Sequence, residues 1–483
     1  MDQCAAVCLA FPPEDLLADN QTYHKAVGVH LTQLSKLLKE STTTLVTHGL
    51  QLLELMDPAV KSLSYLAVLH TLLIPSVSAP RDVVLEKLVV FLLSFDSRSL
   101  RYAGSHLLDI LNLTPQLLPP SIAVQVLSEA ILRIDPTGSM LTSTHTHLIK
   151  LAYTSNSIHP TLLQVIDKPI VFYPGMANQS DSDVVCDMSI PPPKYISKDS
   201  ALTVVLKPAA VLEYDLTCGL IYCAQRDWAK AYAAFERVVT FPTREQGTSK
   251  IMVEAYKKWV LVSLLLKGKV TPTPSYTGPG ANKVYETLGK QYTNIASLFE
   301  SDGAQSLKEA VDADAALWRE DGNMGLIREV LAAYQMWHVL NLRQVYTKIS
   351  IPEIRQQTKS AQTGNILDKD EDIETLIQNM VASGMLDGIT EKHDDGTKFL
   401  TFLPPSTALS EQQLAAELAQ TATRLKNLQP VFKSTGERLG TSKEYVRHLV
   451  KDQRRGGDKD NDTMMGFDKQ VDEEDLMGGI TST

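Results

Sequence analysis

The residues best suited to chemistry in this chain are a histidine pair, His145-Thr146-His147, followed after seven residues by Ser155. Two imidazoles one residue apart, a serine at that distance and an aspartate shortly after it form the working pattern of one class of zinc isopeptidase. The position that would supply the carboxylate is Ile158, and Leu148, Leu151 and Ala152 continue a helix through the segment. Two imidazoles without a third protein ligand do not hold a catalytic water in a defined geometry, so a helix-cap or surface histidine pair is the competing reading. Cys218 and Cys223 lie five apart with no histidine or second cysteine pair at ligand spacing, which points to buried thiols. Gly278-Pro279-Gly280 and Gly289-Lys290 resemble a phosphate loop superficially, but Gln291 stands where Ser or Thr would reach magnesium and no strand precedes them. The expectation is a chain with no catalytic residue, no metal and no cofactor, and therefore not an enzyme.

Composition narrows the remaining functions. At 483 residues the chain is long enough for several packed units, and 44% hydrophobic with 21% charged residues is a globular balance. A formal charge of -10 opposes a general grip on phosphate backbones, which depends on Lys and Arg displacing counterions. Five scattered cysteines fit reduced thiols, and hence cytoplasm and nucleus, better than a disulfide framework. Met1 to Phe11 lacks a basic n-region, Asp2 and Pro12-Pro13 oppose a secretory signal, and no apolar run reaches the roughly 18–20 residues that cross a bilayer. A soluble protein is expected.

The elements that would position any site are helices. Tyr23, Val27, Leu31, Leu34 and Leu38, then Val84, Leu88, Phe91 and Phe95, then Ile122, Val126, Ala130 and Ile134 recur at helical spacing. Asp57-Pro58, Ile74-Pro75, Pro119-Pro120 and Asp135-Pro136 separate them, so residues 1–173 read as stacked helix pairs. Residues 174–200, with Pro191-Pro192-Pro193, read as a loop or linker and a domain boundary. Helical spacing resumes at Leu212 and runs to about Val345, interrupted from Thr271 to Gly280. Within it Gly219 and Tyr222, then Ala231 and Phe235, have the small-large spacing of a tetratricopeptide helix pair, with Pro242 one place early. An ordinary antiparallel helix pair is the alternative; either gives an all-α, TPR-like solenoid over residues 201–346.

The texture changes at residues 347–404. Pro352 opens a short helix, and a second follows Asp370 with Ile373, Leu376, Ile377, Met380 and Val381 on one side, ending at Gly384. Ile389 to Lys392 and Lys398 to Phe402 are strand candidates joined across Asp395-Gly396, a hairpin signal. Two helices and a hairpin make a winged helix. Such modules often read DNA, but this one carries six basic residues, Lys348, Arg355, Lys359, Lys369, Lys392 and Lys398, against ten acidic ones. Asp370, Glu371, Asp372 and Glu374 crowd the start of its second helix, stabilising that end through the helix dipole while repelling phosphate, so protein contact is favoured over nucleic acid. The candidate contact is the outer edge of the hairpin, with Ile389, Lys398, Leu400 and Phe402, which could extend a neighbour's sheet or simply face water.

Residues 405–452 read as C-terminal helices. A polar helix from Leu409 to Leu428 carries Leu414, Leu418, Ala422, Leu425 and Leu428 on one stripe, and a weaker one covers Ser442 to Val450. The stripe requires a partner, in its own chain or another. Residues 453–483, including Asp472-Glu473-Glu474-Asp475, read as a solvated acidic tail.

A helical solenoid ending in a winged helix resembles the PCI family, the scaffolds of the proteasome lid, the COP9 signalosome and translation initiation factor three. Within it, Glu254-Ala255-Tyr256-Lys257-Lys258-Trp259-Val260-Leu261-Val262-Ser263, Lys267-Gly268-Lys269-Val270 and Asp321-Gly322-Asn323-Met324-Gly325-Leu326 resemble segments of the signalosome's subunit 3 family. The resemblance covers roughly Leu206 to Phe402. It implies a non-catalytic scaffold within the complex that removes Nedd8 from cullins, with catalysis on a different, zinc-bearing subunit. It also implies winged helices aligned edge to edge, and C-terminal helices, here with the Leu414 stripe, in an intermolecular bundle. Expected partners are other signalosome subunits, with cullin-RING ligases reached indirectly and neither nucleic acid nor membrane. A lid paralogue and a nucleic-acid-associated PCI protein are the alternatives.

Overall fold

Side chains of Asp and Ser start several of the helices: Asp19 accepts from the backbone of Gln21 and Thr22, Asp227 from Lys230, and Ser249 from Ile251. The computed structural model describes residues 2–13, 19–73, 81–173, 184–243, 247–301, 303–393, 397–403, 410–441, 445–448 and 450. Its long N-terminal helices are Asn20–Glu40, Thr42–Leu55, Ser62–Leu73, Arg81–Ser94, Gly104–Leu117, Pro120–Ile134 and Ser143–Thr154, followed by the shorter Pro160–Ile166. The second run contains Pro208–Ala224, Trp228–Val239, Lys250–Lys267, Pro279–Leu288, Lys290–Phe299, Ala304–Ala313, Ala315–Glu320 and Met324–Leu342. This is the expected all-helical repeat solenoid. Among the described residues no helix is long and apolar enough to cross a membrane.

The expected core faces are largely the real ones. Tyr23, Val27, Leu34, Val84, Leu88, Phe91 and Phe95 are buried, as are Val126, Ala130 and Ile134; Leu31 and Leu38 are half-buried. Ile122 is exposed, because it sits in the first turn behind Pro119-Pro120, ahead of the face built by Ala123, Val124, Val126 and Leu127.

The helix pair Pro208–Ala224 and Trp228–Val239 shows why the small-large spacing matters. Ala231 and Phe235 are fully buried, and a Cβ on Gly219 would lie 2.4 Å from the Phe235 ring. Glycine at 219 thus sets how closely the helices approach. Gly219→Val is expected to destabilise the chain by about 1–3 kcal/mol, read as a lower thermal unfolding midpoint, and Phe235→Leu in the same chain should recover part of the loss.

Residues 174–183 lie outside the described residues, but 184–200 are no free linker. Cys186 is buried, and its backbone N–H donates to the Tyr102 hydroxyl at 3.2 Å while its carbonyl accepts from Arg98 at 3.2 Å. Arg101 donates to the carbonyls of Val185 and Asp187 at 3.0 and 2.7 Å and stacks its guanidinium 3.5 Å from the Tyr195 ring centre. One hydrophobic core runs from Cys4 to Ala361 and passes straight through this stretch. The Pro, Ser and Asp composition meant the absence of a long helix, not the absence of packing.

A second, smaller core belongs to residues 348–402. Strand β1 (Lys348–Ser350) leads to helices Ile351–Gln357 and Asp370–Ala382, then to β2 (Gly388–Lys392) and β3 (Lys398–Phe402). The sheet order is β1-β3-β2, all antiparallel, with Ile349 opposite Leu400 and Ile389 opposite Thr401. Ile349, Ile354, Ile373, Ile377, Met380 and Leu400 fill its interior, and Val339 of helix Met324–Leu342 joins them. Two helices, a hairpin and a pairing strand give the topology of a winged helix. The turn at Asp395-Gly396 lies outside the described residues.

The chain divides into two compact units, Met1–Pro405 and Ser406–Thr483. The second contains helix Glu411–Thr441, which continues through Pro430 beyond the expected end at Leu428. Residues 445–448 and 450 are also helical.

Candidate partner-binding surfaces

The residues singled out for chemistry occupy structural positions. His145 is the third residue of helix Ser143–Thr154 and closes a capping box: its Nδ1 accepts from the Thr142 backbone N–H at 3.2 Å, and the Thr142 side chain bonds back into the first turn. Burial pushes the imidazole down to about 4. His147 turns to Asn112 at 3.1 Å, and the Ser155 hydroxyl donates to the carbonyl of Leu151 at 2.6 Å. The three side chains therefore serve separate local bonds. Among the described residues no group of three His, Cys, Asp or Glu could hold a metal ion. Cys218 and Cys223 are buried in helix Pro208–Ala224, and burial pushes both thiols up, Cys223 to about 12 against the opposing pull of Lys258 and Arg226. Gly289 joins two helices where a Cβ would meet the Tyr256 ring at 2.5 Å, which is a packing reason for glycine.

A cleft of about 330 Å³ opens within the second run, and one of about 290 Å³ lies between residues 166–173 and helices Pro208–Ala224 and Trp228–Val239. The first is walled by Tyr256, Trp259 and Tyr285. In the second, two of the cations are matched: Lys230 with Asp167 at 3.0 Å and Arg237 with Asp215 at 2.7 Å.

The segments that resemble a family meet in space. Lys257 from the first lies 2.8 Å from Asp321 of the third and 3.0 Å from Glu254, while Lys258 reaches Glu254 at 3.2 Å. The Tyr292 hydroxyl donates to Asp321 at 2.7 Å and lies 2.7 Å from Asn323 Nδ2, which donates to it. In the middle segment Gly268 ends helix Lys250–Lys267 at φ +69, with Trp337 packed where a Cβ would stand. These stretches lock helix Lys250–Lys267 to the helices that follow it.

On the winged-helix module the proposed edge needs correcting. β3 is the inner strand, flanked by β1 and β2, so Leu400 (0% exposed) and Phe402 (8%) are core side chains and do not lie on a free edge. Lys398 reaches back to Glu374 at 2.5 Å. The outer strands are β1 and β2; the one that belongs to the hairpin is β2, where Ile389 is 50% exposed and residues 389–392 are all exposed. Arg355 pairs with Asp370 at 2.7 Å and Lys348 with Glu391 at 3.0 Å. Three of the module's six basic residues are thus committed to its own carboxylates, while Glu371 and Asp372 stay exposed on the would-be recognition helix. That face repels a phosphate backbone.

Helix Glu411–Thr441 exposes Leu414, Leu418, Leu425 and Leu428 as expected. The sequence reading missed Phe432, 83% exposed, and Leu439, because Pro430 reads as a helix breaker. With both included, Leu418, Leu425, Phe432 and Leu439 recur every seventh residue, with Leu414 and Leu428 at the alternating position. A 3.5-residue period is the spacing that would keep one stripe of a helix facing a partner helix.

Comparisons with known proteins cover nearly the whole chain. A family model described as "COP9 signalosome complex subunit 3, N-terminal helical repeats" matches residues 28–183 and 192–279. A protein of Neurospora crassa named COP9 signalosome complex subunit 3 is 38% identical over 497 residues, covering 99% of each chain. Its namesake in Emericella nidulans is 29% identical over 450 residues, covering 88% of this chain and 89% of the relative. With near-complete coverage of both sequences, and a helical-repeat match over half of its residues, the chain belongs to the COP9 signalosome complex subunit 3 family.

Proposed function

We propose that this chain is a non-catalytic scaffold subunit of the COP9 signalosome, supporting assembly of the complex that removes Nedd8 from the cullins of cullin-RING ubiquitin ligases. The observation that carries the reading is identity to a signalosome subunit along the entire chain, which takes in the solenoid, the winged helix and the terminal helix together. The exposed heptad seam on helix Glu411–Thr441 and the free edge β2 supply surfaces for neighbouring subunits of the same complex, in cytoplasm and nucleus. Catalysis in this reading rests on a zinc-bearing partner, and the chain's own contribution is geometry. The helical repeats before residue 174 and after residue 200 form the arm and residues 347–404 and 405–452 the junction; residues 453–483, expected as a solvated tail, lie outside the described residues. A contact with nucleic acid has nothing to support it on the acidic recognition helix.

The test is co-purification. Full-length chain expressed with its neighbours and a tag on one of them should elute with the complex, and a chain ending at Thr347 should be released from it. Unchanged co-elution of the truncated chain would sink the assignment of the junction to residues 347–452.

A further inference from the structure

We propose that Thr273 is a phosphorylation site for a proline-directed protein kinase, placed so that its phosphate caps the helix that follows. The chain contains three Thr-Pro dipeptides and no Ser-Pro: Thr114-Pro115, Thr271-Pro272 and Thr273-Pro274. Thr114 is fully buried inside helix Gly104–Leu117, out of reach of any enzyme. The other two stand in tandem in the connection between helices Lys250–Lys267 and Pro279–Leu288. A kinase of this class takes its substrate as an extended strand and selects proline after the acceptor, where the missing N–H and the extended preference of the preceding residue distinguish it.

The connection suits that requirement. Residues 269–274 have no regular structure, Pro272, Ser275 and Tyr276 are exposed, and among the described residues no backbone hydrogen bond ties Thr271 or Thr273. One side-chain bond holds each threonine. Thr271 Oγ1 lies 3.1 Å from the Tyr232 hydroxyl, beneath Lys267, whose ammonium covers that ring at 3.9 Å. Thr273 Oγ1 donates to Asn282 Oδ1 at 3.0 Å, at the surface of the next helix. Thr273 is therefore the easier acceptor to lift into an active site.

In the transfer, Thr273 Oγ1 attacks the γ-phosphorus of the kinase's ATP. The bond from that phosphorus to the bridging oxygen breaks, ADP leaves with the electron pair, and the hydroxyl proton passes to the kinase's carboxylate base. The product carries a charge of about -2 beside the first turn of helix Pro279–Leu288. That helix begins at Gly278 with no side-chain cap and no acidic residue in its first turn, so the amides of Gly280 and Ala281 lack the acceptor that a phosphate would supply. Lys283 lies on the same helix beside Asn282, and Glu286, one turn further along, opposes the phosphate from the cleft wall.

The full-length folded chain, incubated with magnesium, ATP and a cyclin-dependent-type kinase, should take up phosphate chiefly at Thr273 by tandem mass spectrometry. Thr273→Ala should lose most of the incorporation, and Thr114 should stay unmodified. A peptide of residues 268–280 is the control for the motif. If it accepts phosphate while the folded chain does not, or if neither does, or if Thr271 takes the phosphate instead, the assignment fails. In the phosphorylated chain, hydrogen exchange at Gly280 and Ala281 should slow about two- to fivefold, the size of a helix-capping effect; unchanged exchange would refute the capping.

Discussion

Folding stability is expected to be level from pH 7.5 to 6.5 and to drop between pH 6.5 and about 4, chiefly through two buried histidines. Burial pushes His145 from 6.5 down to about 4, and burial together with Lys61 does the same to His30. An unfolded chain takes up those protons near pH 6.5 and the folded one only near pH 4, so protonation in that window favours unfolding. The shift corresponds to about 3 kcal/mol for His145. For His30, less deeply buried and beside the Lys61 ammonium, screening reduces it to about 2 kcal/mol. His106 and His147, also lowered by burial, add in the same direction. The carboxyls of Asp19 and Asp187 are held low by hydrogen bonds from Thr22 and Ser189 and titrate below this window. Asp215, raised by burial despite Arg237, works the other way and softens the fall. Urea midpoints measured from pH 7.5 to 4.5 should show the descent, and a His30→Gln, His145→Gln chain should show a shallower one. At neutral pH the glutamine of His145→Gln can still accept from the Thr142 N–H as the usual capping-box residue, so that variant should stay within about 1 kcal/mol of the parent. Parallel curves for the two proteins would remove the histidines from the explanation.

His145 also shows where sequence reading reached its limit. Its spacing to His147 drew attention to metal chemistry, whereas its role depends on Thr142, three residues back. A histidine at that position of a capping box replaces the more usual Glu or Gln, so no standard signal marks it. Periodicity worked where a helix keeps one face inward: Val84, Leu88, Phe91 and Phe95 could be placed in the core from spacing alone. The Gly219 and Phe235 pairing was legible for the same reason, since both ends of the contact lie within one helix hairpin.

What escaped were relations between distant segments. β1 is three residues long and has no local strand signature; it is defined by its pairing with β3, far along the chain. Missing it turned β3 from an inner into an outer strand, which is how Leu400 and Phe402 came to be assigned to an edge. Residues 184–200 were misjudged in the same way, because the hydrogen bonds of Arg98 and Arg101 to that backbone leave no trace in its composition. At the other end, Pro430 truncated a helix on a local rule. The seven-residue interval from Leu418 to Leu439 carries through it, and a seam of that length is longer-range information than one proline. For a scaffold these are the expected failures, since its working surfaces are defined by what packs against them.

Replacing Asp321 by Ala is expected to destabilise the chain by about 3 kcal/mol, more than its partial exposure would indicate. The Lys257 and Asp321 side chains are each only 12% exposed. Without the carboxylate, the Lys257 ammonium keeps a single partner, Glu254, in a site that water reaches poorly. The Tyr292 hydroxyl, which receives the Asn323 amide, loses the acceptor for its own proton. Each loss leaves a buried polar group half-satisfied, and that penalty exceeds the net worth of the bond itself. Asp321→Asn keeps the shape and an acceptor for Tyr292, and should cost about half as much. Burial alone would lower the Lys257 ammonium, but its bonds to Asp321 and Glu254 outweigh this and raise it above its usual value. Its stabilising contribution is therefore complete at neutral pH and disappears only as pH climbs through the raised value. Lys257→Met combined with Asp321→Leu removes both charges, and the double variant should be markedly more stable than the two single losses added together. Strict additivity in urea midpoints would mean that the two segments meet without depending on one another.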